Sequence, residues 1–391
     1  MSLLSDISPA GREFLAAATY IGIEVLAPAA DEVDAEARFP HEAVVAMRAE
    51  GLLGAFVPAE LGGGGCTVTD LSLICTELGK HCGSSAMIFA MHQIQVACIV
   101  DAGRGLPYFD ELLTEIATRG RLIASATTEL GIGGNVRASL CAVEYDGEKI
   151  SLRKQASVIS YGAYVDDVLV TARRDLDAAA SDQVIVHVQR PNLTLDDQID
   201  VWDTLGMRGT CSVGFELYAT GTTDQILPLP YADVSAQTML PVTHITWASL
   251  WLGIAEHAVT KARKLVRAAA RKQPGTLPPS ARHLATVVGQ LERVRALVEM
   301  GVRDYERVRR DLSVGSTMAF TIQMNNLKLC VSADVFAIVK GSLEICGLAG
   351  FRNGTEYSLG RQLRDSQSAS LMVHNDRILD HNASLLCILK D

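Results

Sequence analysis

The sequence predicts a multi-domain α+β fold: an all-helical domain over residues 1–121, a small β-barrel or sandwich over 122–232, and a four-helix bundle over 233–391. Two observations carry this reading. Apolar residues recur at helical spacing at both ends of the chain, whereas the middle holds short β-branched runs broken by glycine and proline turns. The C-terminal helical patterns are also long and closely spaced, as in a bundle. With 391 residues, 48% of them hydrophobic, the chain can bury more than one core.

Each element has its own signal. Residues 39–53 repeat apolar side chains at helical spacing, and Gly51 and the glycines at 62–65 punctuate them. Further helices are expected over 69–81, 84–100 and 110–118. Residues 86–100 are apolar nearly all round, which predicts a buried helix. Besides the Cys98 thiol, His92 is its one ionisable side chain. In the middle region, residues 122–128 begin as a strand, 149–154 alternate, and 167–173 and 183–189 are β-branched runs. Gly147, Gly162, Pro191, Asn192, Gly206 and Gly214 mark turns. The bundle patterns cover 244–270, 280–311, 316–346 and 365–389, with Pro274, Pro278 and Pro279 between the first two.

Composition narrows the function. A net charge of −10 argues against nucleic-acid binding, which needs a basic face. The basic cluster between Lys261 and Lys272 follows a helical pattern and reads as a solvated face, or as one that meets nucleotide phosphates. Nine cysteines, none in a C-x-x-C pair, read as reduced thiols and give no metal-ligand spacing. Apolar runs are interrupted short of about 20 residues, so no membrane span is expected. No charged segment followed by an apolar stretch opens the chain, so a cytoplasmic location is expected.

The most informative segment runs from residue 123 to 136. A short strand carries Thr127 and Thr128, then breaks into a turn with Gly131, Gly133 and Gly134. Strand threonines present hydroxyls and backbone groups, and the glycines let a flat ligand or another backbone approach closely.

This segment resembles the flavin-contacting Thr-Glu-Pro-Gly-(Ala)-Gly-Ser segment of the acyl-CoA dehydrogenase family, with Leu130 for the proline and Gly134-Asn135 for Ser-Asp. Other family motifs follow in order. Residues 39–63 resemble the N-terminal helix and its Pro-Glu-X-Gly-Gly turn. Leu205-Gly-Met-Arg208 resembles the Leu-Gly-X-Arg strand. Arg271-Lys-Gln-Pro-Gly275 resembles Arg-X-X-Phe-Gly without its phenylalanine. Glu344-Ile-Cys-Gly-Leu-Ala-Gly-Phe351 resembles Gln-Ile-Leu-Gly-Gly-X-Gly-Phe, and Arg364-Asp365 matches the Arg-Asp opening the last active-site segment.

The resemblance implies FAD as cofactor, a homotetramer or homodimer, and α,β-dehydrogenation of an acyl-CoA or acyl-carrier thioester. An electron-transfer flavoprotein or another acceptor would take the electrons. It places Thr127 and Thr128 at the isoalloxazine carbonyls, Gly134 at the pyrophosphate and Ser160 near the ring's N5 edge. Asn375 falls at the flavin edge, and Arg271 at a neighbouring subunit's pyrophosphate. Glu344 and Gly347 fall at the adenine end. Val158 stands where the family has the tryptophan that covers the ring.

The family's catalytic glutamate usually lies nine residues after the arginine of Arg-Asp. Here that count reaches Val373, which cannot accept a proton. Some members carry it instead at the start of the first bundle helix, which corresponds to Thr243 and His244. Substitute bases are Asp376 and His374 first, and His244 second; histidine's ordinary pKa near ~6.5 suits proton transfer at neutral pH. Flavin monooxygenases similar to the family use histidines beside the ring in their oxygen chemistry. A reduced-flavin-dependent monooxygenase using His92 and His374 is therefore an alternative. A homologue that binds flavin or acyl-CoA without turnover is a third reading.

Overall fold

The computed structural model describes residues 3–196, 198–310 and 317–389. Helices α1 (Pro9–Ile21), α2 (Ala27–Glu36), α3 (His41–Ala49), α4 (Val68–His81), α5 (Gly83–Gly103) and α6 (Pro107–Arg119) come first. Among the described residues seven strands follow: β1 (Ile123–Ala126), β2 (Glu144–Asp146), β3 (Lys149–Ile159), β4 (Asp167–Arg173), β5 (Gln183–Gln189), β6 (Leu193–Asp196) and β7 (Val213–Thr222). The chain then returns to helix with α7 (Tyr231–Val234), α8 (Leu240–Lys272), α9 (Ala281–Val308), α10 (Met318–Phe351), α11 (Gly360–Gln367) and α12 (Asn375–Leu386).

One buried carboxylate ties the start of the chain to the helical layer. Asp70 in the first turn of α4 accepts from the Thr67 N–H at 2.8 Å and from the Ser8 N–H at 3.0 Å and Ser8 hydroxyl at 2.8 Å. The Ser8 oxygen in turn accepts from the Gly11 N–H at 2.9 Å. The start of α4 is thereby capped, and Asp70 orients the serine that caps α1. A Cβ at position 11 would sit 2.1 Å from the Asp70 Oδ1, so only glycine fits there.

The strands form two sheets, ordered β1-β4-β5 and β2-β3-β7-β6, with β1 and β4 parallel and the other pairs antiparallel. The alternation over 149–154 is observed: Ile150, Leu152 and Lys154 point inward along β3. Lys154 is buried because its ammonium donates to the Thr171 carbonyl at 2.7 Å and lies 3.7 Å from Glu129. Strands β6 and β7 were not among the expected runs. Gly214 read as a turn, yet it lies inside β7, against the carbonyls of Ala156 and Ser157.

The long helix α8 is the spine of the C-terminal half. It packs against α9 and α10 and also along α4. The crossing with α4 is close: a Cβ on Gly253 would lie 2.1 Å from the Thr76 carbonyl, and one on Gly79 would lie 2.3 Å from that of Leu250. The third bundle pattern ends as expected near Cys346, because Gly347 leaves the helical region at φ 58° before one further turn. The fourth pattern differs from expectation. It divides into α11 and α12 around a turn in which Val373 adopts φ 44°.

Two helical stretches are long and apolar enough to cross a membrane by length and composition, contrary to the sequence expectation. For α5, 89% of the apolar window is buried inside the protein, so that helix is a core element here. All nine cysteines are free; Cys330 and Cys387 are exposed rather than in a core.

Two predictions follow from these anchors. Asp70→Ala should lower stability by about 2–4 kcal/mol in urea unfolding, through lost caps and unsatisfied donors. Acid lability should also appear. Burial pushes His92 and His244 down to about 4 and His257 down to about 3. From about pH 6.5 to pH 4 the unfolded chain binds protons at these sites that the native state refuses, so stability falls as pH falls. Asp365, pushed up to about 6 by burial, works in the opposite direction between about pH 4 and 6, but is one group against three. A urea midpoint that stays flat from pH 6.5 to 4 would contradict this balance.

Candidate active site

A cavity of about 650 Å³ lies where the strand ends meet the helices. Thr127, Thr128, Val158 and Ser160 form its strand side, and Leu371, Met372 and Val373 close it from the turn before α12. Met87, Met91 and Ile94 of α5, with Leu240 and Trp247 of α8, make an apolar wall.

The strand side is rigid. The Thr128 hydroxyl accepts from the Val158 N–H at 3.2 Å and donates to the Val158 carbonyl at 3.1 Å, pinning the end of β1 to the end of β3. Glu129, next in sequence, is buried and folds the following loop back. Its carboxylate accepts from the Cys141 N–H at 2.8 Å, the Leu140 N–H at 3.1 Å and the Ser139 hydroxyl at 2.8 Å. The loop between turns through Gly133 and Gly134, both at positive φ.

A chain of hydroxyls runs behind Ser160. Thr210 donates to the Met207 carbonyl at 2.8 Å and lies 2.8 Å from Ser212, which donates to Ser160 at 2.8 Å. With Ser212 as donor, the Ser160 proton has no acceptor among the described residues, and Ser160 lines the cavity. It is free for an occupant.

The Leu205–Arg208 and Arg364-Asp365 motifs meet at this wall. Asp365, buried, accepts from the Met207 N–H at 2.7 Å, and Gly206 lies against the Arg364 carbonyl, where a Cβ would come within 2.4 Å. Arg364 pairs with Asp34, and Arg208 donates to the Asp34 carbonyl at 2.8 Å. Both motifs therefore shape the cavity through backbone anchoring.

His244 lines the cavity and is buried. Its Nδ1 faces the Met324 carbonyl at 2.9 Å; a carbonyl only accepts, so Nδ1 carries the proton and Nε2 the lone pair. Burial holds its pKa near 4, and the Lys328 ammonium opposes protonation as well.

Lys328 was not anticipated; the signal was a lone lysine between Leu327 and Leu329 in an apolar helix. Fully buried, it donates to the Val373 carbonyl at 2.9 Å and to the Asn375 Oδ1 at 2.6 Å. Burial lowers its pKa to about 8. Asn375 also donates to the Ser332 hydroxyl at 3.0 Å. Its amide is thus committed to α10 rather than offered to a ring edge.

Of the residues named from sequence, the cavity brings together Thr127, Thr128, Ser160 and His244. Asp376 and His374 are outside its lining. His374 caps α12, its Nδ1 accepting from the Asp376 N–H at 3.3 Å, and the Asp376 side chain is 80% exposed. This geometry gives no support to either as a base acting in the cavity. His92 is a core residue: Nε2 meets the Leu53 carbonyl at 2.8 Å and Nδ1 accepts from the Ile123 N–H at 3.1 Å. Both ring nitrogens are taken, which removes it from oxygen chemistry. Gly134 abuts the Arg377 guanidinium. Arg271 and Glu344 are exposed on α8 and α10, with Gly347 at the kink of α10, all outside the cavity lining. Thr210 and Ser212 were not named as site residues, since a hydroxyl relay leaves no spacing signature. Among the described lining residues there is no carboxylate.

The site fits a flat heteroaromatic ring. Hydroxyls at Thr127 and Ser160 border the strand side, the Ser160 proton is unclaimed among the described residues, and the volume lies in the range of about 300–1,000 Å³ for small-molecule sites.

Comparison with known proteins agrees with this architecture. Profiles of the acyl-CoA dehydrogenase N-terminal and C-terminal domains match residues 8–105 and 234–373. The chain is 24% identical over 370 residues to cyclohex-1-ene-1-carbonyl-CoA dehydrogenase of Syntrophus aciditrophicus, covering 92% of this chain and 85% of that protein. It is 25% identical over 383 residues to the amino sugar nitrososynthase DnmZ of Streptomyces peucetius, covering 93% and 90%. The structure of a nitrososynthase from Micromonospora carbonacea var. africana shares the fold, with TM-score 0.82, 23% identity and 98% coverage of each chain. The chain belongs to the acyl-CoA dehydrogenase family of flavin oxidoreductases.

Proposed function

We propose that this protein is a flavin-dependent monooxygenase that uses reduced flavin and O₂ rather than an α,β-dehydrogenase. The observation that carries the reading is the carboxylate-free lining of the cavity. Bound flavin supplies the redox chemistry, accepting hydride in a dehydrogenase and activating oxygen when reduced in an oxygenase.

Removal of an α-proton needs a base in contact with the substrate. A carboxylate becomes neutral on taking that proton. His244 would become a cation in an apolar enclosure beside the Lys328 ammonium, and both effects oppose it. Oxygen transfer makes a different demand. A proton donor near the reacting centre is useful, and Ser212, donating to Ser160, leaves the Ser160 hydroxyl able to donate into the cavity. The similarity to a nitrososynthase over 93% of this chain supports the reading. The methionine-rich wall on α5 suits a substrate with an apolar body.

The proposed cofactor is FAD, held at its ring by Thr127, Thr128 and Ser160. Arg271, Glu344 and Gly347 would serve the cavity of another subunit in a homotetramer or homodimer. Exposed Leu348 and Phe351, beside Gly347, support such an association.

A second reading is favoured by one observation. His244 stands in the cavity at the start of α8, where some family members carry their glutamate. In that case it removes the α-proton of an acyl-CoA or acyl-carrier thioester, with an electron-transfer flavoprotein as a candidate acceptor.

Anaerobic titration of the flavin-loaded protein with short, long and branched acyl-CoAs should leave the oxidised flavin band unbleached, and supplied reduced flavin should support rapid O₂ uptake. Bleaching by one thioester, abolished in His244→Asn, would establish the second reading instead. Ser212→Ala should slow oxygen-dependent turnover by about tenfold or more, since it breaks the hydroxyl chain without removing Ser160. An unchanged rate would exclude the chain from the chemistry.

A further inference from the structure

We propose, resting on the monooxygenase function above, that the cavity takes an uncharged substrate with an apolar ring and one hydroxyl or N–H, and that His244 selects it by accepting that donor. Two helix faces meet across the cavity. Met87, Met91 and Gln95 line it from α5, and Leu240, His244 and Trp247 from α8, on which α5 packs. Spacings of three and four residues keep each set on one face of its helix.

Most polar atoms on these two faces are turned away from the space between them. Gln95 donates to the Met91 carbonyl at 3.3 Å, and its Oε1 is sealed inside the protein. The Thr243 hydroxyl donates to the Met239 carbonyl at 2.6 Å. The Trp247 N–H is sealed as well. His244 Nε2 is different. It has no hydrogen-bond partner among the described residues and is not sealed, so it opens onto the cavity that the ring lines. The Nδ1 proton is held by the Met324 carbonyl, which fixes the tautomer and leaves Nε2 an acceptor. Burial, reinforced by Lys328, holds the pKa down to about 4, so it remains an acceptor at neutral pH.

An acceptor of this kind sets two conditions on the occupant. A wholly apolar molecule would strip water from Nε2 and return no hydrogen bond. A charged one would find no free counter-charge. The ionisable groups among the described lining residues are Tyr231, His244 and Arg364. Burial pushes the Tyr231 phenol up to about 12, so it stays neutral, and Arg364 is paired with Asp34. A buried ion without a partner is strongly disfavoured. The thioethers of Met87, Met91, Met239 and Met372 suit an aromatic ring as the apolar body. The dehydrogenase alternative instead puts a C–H bond at the same imidazole, and that bond offers no comparable donor.

Four probes share a ring and differ in one handle: benzyl alcohol, ethylbenzene, benzylammonium and benzoate. Their binding to the full chain, with and without flavin, is followed through tryptophan fluorescence, since Trp202 and Trp247, two of the three tryptophans, line the cavity. Benzyl alcohol should bind roughly tenfold or more tighter than ethylbenzene, and both ions more weakly than the alcohol. In His244→Phe the alcohol should fall to the level of ethylbenzene while ethylbenzene binding persists. The ranking in the unmodified protein stands without that variant. Ethylbenzene binding as tightly as the alcohol, an ion binding more tightly than the alcohol, or an alcohol preference that survives His244→Phe would each overturn the proposal. Binding is read without turnover, so the two claims separate. Equal affinities alongside rapid O₂ uptake with reduced flavin would sink the acceptor role alone. An alcohol preference lost in His244→Phe, without O₂ uptake, would support that role and sink the monooxygenase.

Discussion

A single buried lysine organises the wall on which the chemistry of this site depends. Lys328 has no carboxylate partner among the described contacts; it holds the Val373 carbonyl and the Asn375 amide oxygen. Val373 sits at φ 44°, a conformation that costs a β-branched residue on the order of 1–3 kcal/mol. Two charge-assisted hydrogen bonds, each worth about 1.5–3 kcal/mol, are large enough to offset it. The lysine thus fixes the turn between α11 and α12, leaves Val373 on the cavity wall and turns Asn375 away from it. Burial is the main reason that the neutral imidazole of His244 is the stable form, and the positive charge of Lys328 adds to it.

The rest of the wall follows the same logic of buried polar groups aimed at backbone. Asp365 holds the Met207 N–H, Glu129 holds three donors of the glycine loop, and Thr128 ties two strand ends together. Each acidic side chain that shapes the cavity is engaged with backbone or with a cation behind it. Hydroxyls, a neutral imidazole, the Gln95 and Gln367 amides, Arg364 and apolar side chains line the cavity. That distribution separates this chain from a site designed around a carboxylate base, although the fold around it is the same.

Much of the fold was legible because it rests on periodicity. The apolar helix α5, the alternation of β3 and the long patterns of α8 to α10 follow directly from residue spacing. The turn that splits α11 from α12 was not legible, because it depends on Lys328, 45 residues from Val373 and on another helix. Strand β7 was hidden by Gly214, which is glycine for a close approach between strands rather than for a turn. For the site, Thr127, Thr128, Ser160 and His244, named from the motifs, lie on the lining of one cavity. Asp376, His374 and His92 were chosen for their chemistry, but burial and hydrogen-bond direction, which no single sequence displays, place them elsewhere. Glu129 lay within the most informative segment and was passed over, since a structural carboxylate and a functional one look the same in sequence.

The most direct test of a cavity without a competent carbon base is exchange of substrate α-hydrogens. The flavin-loaded protein would be incubated anaerobically in D₂O with acyl-CoAs that it binds, and the thioesters examined by mass spectrometry. The account predicts no deuterium at the α-carbon beyond the buffer rate. Rapid incorporation would show that a group in this cavity removes that proton, and would contradict it.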